Sequence, residues 1–240
     1  MEKEVNVSDI DLTFFNQRFG EINKKFHSNI DKMQELDISK VDFIHQFPCF
    51  CGHSGLARFL SLYEAFKRVE GLSGHYADVG TYKGASFLLI AKLVRIFEPY
   101  SSSMVHAFDW FQGMNPELGD KPSNYLGSFE LLCELVKLQE LSDIAVINKV
   151  DLEKDLEYLL DSSRYKGIRF KYVYMDCGVR AVLENTIPRF YDRMVKSGIM
   201  LFDHYSLGVN CETRIIDKYV REKIQTFPYT RQPTGYIIKD

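Results

Sequence analysis

Acidic residues placed just beyond apolar runs carry most of the chemistry this sequence offers. The first segment is Asp78-Val-Gly80-Thr81-Tyr-Lys-Gly84. Two glycines let a backbone turn sharply and approach a ligand before a helix begins. A dinucleotide fingerprint wants glycine at position 78, where a carboxylate would repel a pyrophosphate. The same carboxylate suits a cationic ligand, such as the amino or sulfonium group of S-adenosylmethionine. A glycine turn closed by a helix-capping acid explains the same residues, and on this motif alone both accounts stand. Thr81 and Ser86 join Asp78, Gly80 and Gly84 as candidate cofactor contacts.

Asp109 closes a second apolar run. An acid at that place in a doubly wound sheet accepts hydrogen bonds from two ribose hydroxyls. Trp110, the single tryptophan, would line the adenosine pocket. Asp151, after a third run, is a candidate for the adenine edge, with a solvated loop acid as the alternative.

Two later runs end in Tyr174-Met-Asp176 and Leu201-Phe-Asp203-His204-Tyr205. If both are strands of one sheet, Asp176, Asp203 and His204 open on the same rim. Two carboxylates and an imidazole form a divalent-metal set: Mg²⁺ prefers oxygen ligands, whereas imidazole suits Mn²⁺ or Fe²⁺. A cation there would lower the pKa of a substrate hydroxyl. The plainer account has Asp203-His204 capping a loop and Asp176 accepting backbone amides. Cys49-Phe-Cys51-Gly-His53 invites a zinc reading, but paired thiols in zinc sites usually have two to four residues between them where this pair has one, and a glycine-containing loop fits better.

These groups must be held by a scaffold whose elements alternate. Leu56, Phe59, Leu60, Leu62, Tyr63 and Phe66 fall at helical spacing, in a helix that stops near Glu70-Gly71. Strands are expected at 75–79, 104–109, 144–150, 170–175 and 199–202. Helices are expected at 84–98, 129–138, 152–160, 181–193 and 212–223. Pro188 should break or kink the fourth of these. Residues 227–230 and 236–238 read as a closing hairpin. Alternating strands and helices predict an α/β fold, a single Rossmann-like, doubly wound and mostly parallel sheet with a C-terminal antiparallel strand. Residues 1–54 form a helical extension or cap, and 55–240 the main domain. Phe14, Phe15, Phe19 and Phe26 in the extension need burial, which either a homodimer or their own domain would supply.

Composition removes several classes. At 45% hydrophobic and 26% charged residues, the chain has the balance of an ordinary globule rather than a disordered one. A net charge of −3 with no long basic run excludes a phosphate backbone as partner. The N-terminus lacks the basic start and apolar core of a signal peptide, and the apolar run near 87–93 contains Lys92 and is too short for a bilayer, so no membrane partner is expected. Five scattered cysteines favour free thiols in a reducing cytoplasm.

Residues 74–86, the turn Phe108-Asp109-Trp-Phe-Gln-Gly113 and residues 175–207 together resemble the macrocin O-methyltransferase family, over most of the chain from about Arg58 onward. Its members carry an acid-x-Gly loop, a Phe-Asp-x-Phe-x-Gly turn, Asp-x-Asp after the fourth strand and Asp-Asp-Tyr after the fifth. The family methylates sugar hydroxyls in antibiotic biosynthesis, and similar sequences occur in polysaccharide gene sets. The resemblance implies a class I S-adenosylmethionine-dependent O-methyltransferase whose acceptor is a sugar hydroxyl, on a plain or a nucleotide-linked sugar. It places Asp78, Gly80 and Gly84 on the cofactor, Asp109 on its ribose, and Asp176 and Asp203 on a Mg²⁺ ion. Gly178 and His204 stand where the family has its second acids. Retained Mg²⁺, a switch to Mn²⁺ or Fe²⁺, and no metal with His204 as general base are the alternatives. The expectation carried forward is a metal on Asp176, Asp203 and His204, with Asp176 or His204 taking the acceptor's proton. Residues 115–128, rich in Gly, Pro and Asn, form a substrate lid or an ordinary loop.

Two rivals remain. A nicotinamide-dependent oxidoreductase shares the βα architecture but wants glycine at 78 and a Tyr-x-x-x-Lys pair after the middle strands. A decayed S-adenosylmethionine-binding module would account for Gly178 and His204.

Overall fold

Strands buried on both faces pair in parallel only when crossover helices cover those faces. The structure, a computed structural model describing residues 12–113, 125–203, 205, 212–230 and 234–240, is built on that rule. The strands are β1 (His75–Val79), β2 (Val105–Asp109), β3 (Ala145–Lys149), β4 (Phe170–Met175), β5 (Met194–Phe202), β6 (Gln225–Phe227) and β7 (Thr234–Ile238). They form one sheet in the order β3-β2-β1-β4-β5-β7-β6. The first five are parallel, and β7 lies antiparallel to both β5 and β6. Strand order reverses between β1 and β4, the switch point at which open α/β sheets bind ligands beyond their strand ends.

The helices are α1 (Leu12–Ser28), α2 (Ile30–Gln34), α3 (Lys40–His45), α4 (Phe47–Phe50), α5 (His53–Val69), α6 (Ala85–Phe97), α7 (Phe129–Leu138), α8 (Leu156–Asp161), α9 (Arg180–Asp192) and α10 (Glu212–Tyr219). Side chains alternate along each strand, and the core divides accordingly. Tyr76, Ala107, Tyr172, Tyr174, Ile199 and Leu201 pack toward α5, α6 and α7, against residues such as Phe66, Phe87 and Leu132. Ala77, Phe108, Val173, Met175 and Phe202 pack toward α8, α9 and α10, against Leu160, Phe190 and Ile216.

Several boundaries differ from the sequence reading. The buried stripe of α5 is Ala57, Ser61, Leu62, Ala65, Phe66 and Val69, while Leu56 and Leu60 are 37% and 48% exposed. Helix α9 runs unbroken through Pro188, held down by buried Leu183, Ile187 and Phe190 on its inner face. Strand β5 begins at Met194 rather than Ile199, with a register shift opposite Phe170–Tyr172 that accommodates Ser197 at φ +62°. Strand β6 ends at Phe227 because Pro228 has no N–H to donate; the chain turns instead, and the Thr230 hydroxyl donates to the Phe227 carbonyl at 2.9 Å. Helix α8 starts at Leu156, after a turn closed by Asp151. In the extension, Phe26 packs on Gly52 and the Asn23 amide donates to the Ser54 hydroxyl. The side chains of Phe14, Phe15 and Phe19 lie outside the described residues. The four described cysteines, Cys49, Cys51, Cys133 and Cys177, are free thiols. No described helix is long and apolar enough to cross a membrane.

Candidate active site

Alternation along the strands decides which acids meet. Asp78 follows Tyr76, Asp109 follows Ala107, Asp176 follows Tyr174 and Asp203 follows Leu201, each two residues on. All four therefore belong to the side of the sheet covered by α5, α6 and α7, at or just beyond the carboxyl ends of β1, β2, β4 and β5. Backbone bonds lock these ends together. Gly80 N–H donates to Phe108, Asp176 N–H to Val79 and Asp203 N–H to Met175, at 2.9, 2.9 and 3.0 Å.

The loop after β1 is shaped by its glycines. Gly80 has φ +85°, and a Cβ there would overlap the carbonyl oxygen of Asp176. Gly84 caps α6 in the left-handed conformation, and a Cβ would overlap the Leu132 side chain. Asp78 is 0% exposed. The Ser86 hydroxyl lies 3.1 Å from both of its oxygens, and the Thr81 hydroxyl donates to its backbone carbonyl at 3.0 Å. Thr81 and Ser86 thus secure Asp78 from beneath. Burial pushes the Asp78 carboxyl up to about 7; Asp176 adds to the shift, while the Ser86 bond and Arg58 oppose it. The Asp78 side chain is covered, so it offers no surface for direct contact.

Asp109 joins two loops. Its Oδ2 accepts the Tyr82 amide and its Oδ1 the Phe111 amide, both at 2.7 Å. Burial raises its pKa against these bonds. The Trp110 amide is a third backbone donor to this carboxylate. Trp110 turns its indole N–H onto the Gly113 carbonyl at 2.6 Å, which fixes the ring beside Asp109. Asp151 accepts the amides of Glu153 and Lys154 at 2.9 and 3.2 Å, as a turn-capping acid does. Of the 115–128 segment, residues 115–124 lie outside the described residues. The remainder packs on the β1 loop: a Cβ at Gly127 would overlap the Tyr82 carbonyl, and the Tyr125 and Tyr82 rings meet edge to face at 5.8 Å.

At the other end of the rim stands a residue that the sequence reading did not single out. Arg58, on the inner stripe of α5, donates from Nη2 to Asp176 Oδ2. Its Nε donates to the Tyr174 hydroxyl at 2.8 Å and lies 3.3 Å from Asp203 Oδ1. Tyr174 in turn donates to Asp203 Oδ1 at 2.5 Å. Burial works against the Arg58 charge, but Tyr174, Asp203 and Asp176 outweigh it and hold the guanidinium above its ordinary value. Burial and the two acids keep Tyr174 protonated. The available signal was spacing: Arg58 precedes Leu62 by four residues, which puts it on the same helical face.

The structure brings together Asp78, Asp109, Asp176 and Asp203. His204 lies outside the described residues. As arranged, the acids do not fit a divalent ion. Asp176 Oδ2 and Asp203 Oδ1 are both engaged by Arg58. Gly178 supplies no side chain, and among the described residues no group of three His, Cys, Asp or Glu could hold a metal, Cys49, Cys51 and His53 included. Mg²⁺ looks for about six oxygen ligands.

No protein-family model matches the chain, and no curated protein matches it in sequence. Solved structures do. CalS11, described as a calicheamicin methyltransferase, superposes with a TM-score of 0.73 at 16% identity, over 91% of each chain. An apo structure of CalS11, described as a TDP-rhamnose 3'-O-methyltransferase of calicheamicin biosynthesis, gives 0.71 at 16% identity, over 91% of this chain and 93% of that one. The O-methyltransferase NovP gives 0.65 at 17% identity, over 79% and 83%. The fold is a Rossmann-like methyltransferase fold. At such identities the likeness is one of architecture.

Proposed function

We propose that this protein is an S-adenosylmethionine-dependent O-methyltransferase whose acceptor is a hydroxyl of a sugar or a nucleotide-linked sugar. The observation that carries the reading is the row of four acids along one side of the strand ends, two on β1 and β2 and two just after β4 and β5. Asp109 suits the ribose hydroxyls, and Trp110 lines the adenosine beside it. The Asp78 carboxylate, with Gly80 and Gly84, favours the cationic end of the cofactor. Asp176 and Asp203 then stand beside the reactive methyl. Two of the neighbouring structures, CalS11 and NovP, are described as O-methyltransferases, and CalS11 as acting on a nucleotide sugar.

In this reading an acceptor oxygen lone pair forms the O–CH₃ bond as the S–CH₃ bond breaks, and the sulfonium leaves as a neutral thioether. The hydroxyl proton passes to Asp176 or His204. The sulfonium is intrinsically reactive, so alignment is the protein's main contribution. A cytoplasmic setting is part of this reading. An oxidoreductase is the poorer account, because the dinucleotide-binding order 3-2-1-4-5-6 has no antiparallel strand inserted after β5.

The test is transfer from S-adenosylmethionine carrying a labelled methyl to a panel of nucleotide sugars and glycosides. A labelled methyl ether, lost in Asp176→Ala with cofactor affinity kept, supports the reading. Cofactor binding with no transfer to any hydroxyl acceptor favours the decayed module.

A further inference from the structure

We propose that Arg58 is the resident cation of the acceptor site: it fills the place between Asp176 and Asp203 that a divalent ion would take, and it orients the acceptor hydroxyl. The orienting role rests on the function proposed above; the occupancy does not.

The geometry is specific. Helix α5 delivers Arg58 to the strand ends through the same inner stripe that buries Leu62 and Phe66. The guanidinium reaches Asp176 through Nη2, and Tyr174 and Asp203 through Nε. Tyr174 closes the ring by donating to Asp203. The planar fork is thereby fixed on two sides, an arrangement that a lysine ammonium does not reproduce. The guanidinium offsets one of the two carboxylate charges, which weakens their pull on a hard divalent ion. Arg58 has five N–H donors. Among the described residues Nη1 has no protein partner, and the side chain is 37% exposed. Donors therefore remain for an oxygen arriving at the rim. A guanidinium that hydrogen-bonds the acceptor oxygen directs one lone pair along the methyl-transfer line, while a rim carboxylate takes the proton. Chelators then have nothing to remove.

The test uses the full chain. Mn²⁺ is titrated into wild type and Asp176→Asn, with bound ion read by electron paramagnetic resonance. The proposal expects no Mn²⁺ binding that Asp176→Asn abolishes, and equal turnover in chelator and in Mg²⁺. Wild-type Mn²⁺ binding that Asp176→Asn removes would overturn it. Arg58→Lys keeps the charge needed for folding and tests orientation. Its affinity for S-adenosylhomocysteine should stay within about 3-fold, while kcat falls about 100-fold, as for an acceptor misplaced by ~1 Å. Wild-type kcat in Arg58→Lys would leave Arg58 a structural tether and overturn the orienting role. Failure of wild type to bind S-adenosylhomocysteine would instead strike the proposed function and leave the Mn²⁺ result standing.

Discussion

Asp109 Oδ2 accepts the backbone N–H of Tyr82 at 2.7 Å, so one carboxylate at the end of β2 holds the loop that follows β1. Its other oxygen holds Phe111 at the same distance. The cofactor loops are therefore set by the residue proposed to bind the ribose.

Replacing Asp109 by Ala should weaken S-adenosylhomocysteine binding about 10- to 100-fold, the range expected on losing hydrogen bonds to a charged group. Calorimetry checks the affinity. Hydrogen exchange at the Tyr82 amide should accelerate in the same variant, since that donor loses its acceptor.

Asp78 makes stability depend on pH. Its carboxyl is pushed from an ordinary 3.8 up to about 7 by burial, so the folded state binds more protons than the unfolded between those values. Stability is greatest below about 4 as far as this group is concerned, and falls as pH rises toward 7. Asp78→Asn removes the titration. Its melting temperature should exceed that of wild type at pH 8, with the gap closing near pH 4. A cationic ligand beside Asp78 lowers its pKa, so S-adenosylmethionine binding near pH 7 should release protons, seen as buffer-dependent heats.

The rim acids were legible because strand alternation is strict: a carboxylate two residues beyond an inward tyrosine or leucine must share its side. Arg58 was not, because the inner stripe of α5 uses small residues. Ala57, Ser61 and Ala65 pack close to the sheet, while Leu56 and Leu60 face outward, so counting bulky apolar residues turns the helix by about one position. The Arg58 contacts at the expected metal ligands Asp176 and Asp203 were hidden for the same reason. Asp176 and Asp203 look like free ligands until a cation 118 residues away along the chain is folded onto Asp176. The early start of β5 was hidden by Lys196-Ser197, whose exposed polar side chains read as a loop.

Gly80→Ala should cost roughly 3 kcal/mol or more, combining a left-handed backbone with overlap on the Asp176 carbonyl. Gly167→Ala, with nothing within 4 Å of its Cβ position, should stay within about 0.5 kcal/mol of wild type. Urea unfolding of the pair separates a required glycine from a tolerated one.

At the opposite rim, Lys171 donates to both oxygens of Glu98 at 2.8 Å and to the Leu72 carbonyl at 2.9 Å, beside a groove of about 490 Å³. With the lysine satisfied in this way, the pair serves the fold. Lys171→Met alone should destabilise by about 3–5 kcal/mol, because it strands a buried carboxylate. Adding Glu98→Leu should restore most of the loss in chemical denaturation.

Calorimetric titration of the full chain with S-adenosylhomocysteine, in the presence of chelator, tests the central claim most directly. Saturable one-site binding that is lost or strongly weakened in Asp109→Ala is the predicted result. No heat in wild type, or binding that Asp109→Ala leaves unchanged, would contradict the cofactor site described here.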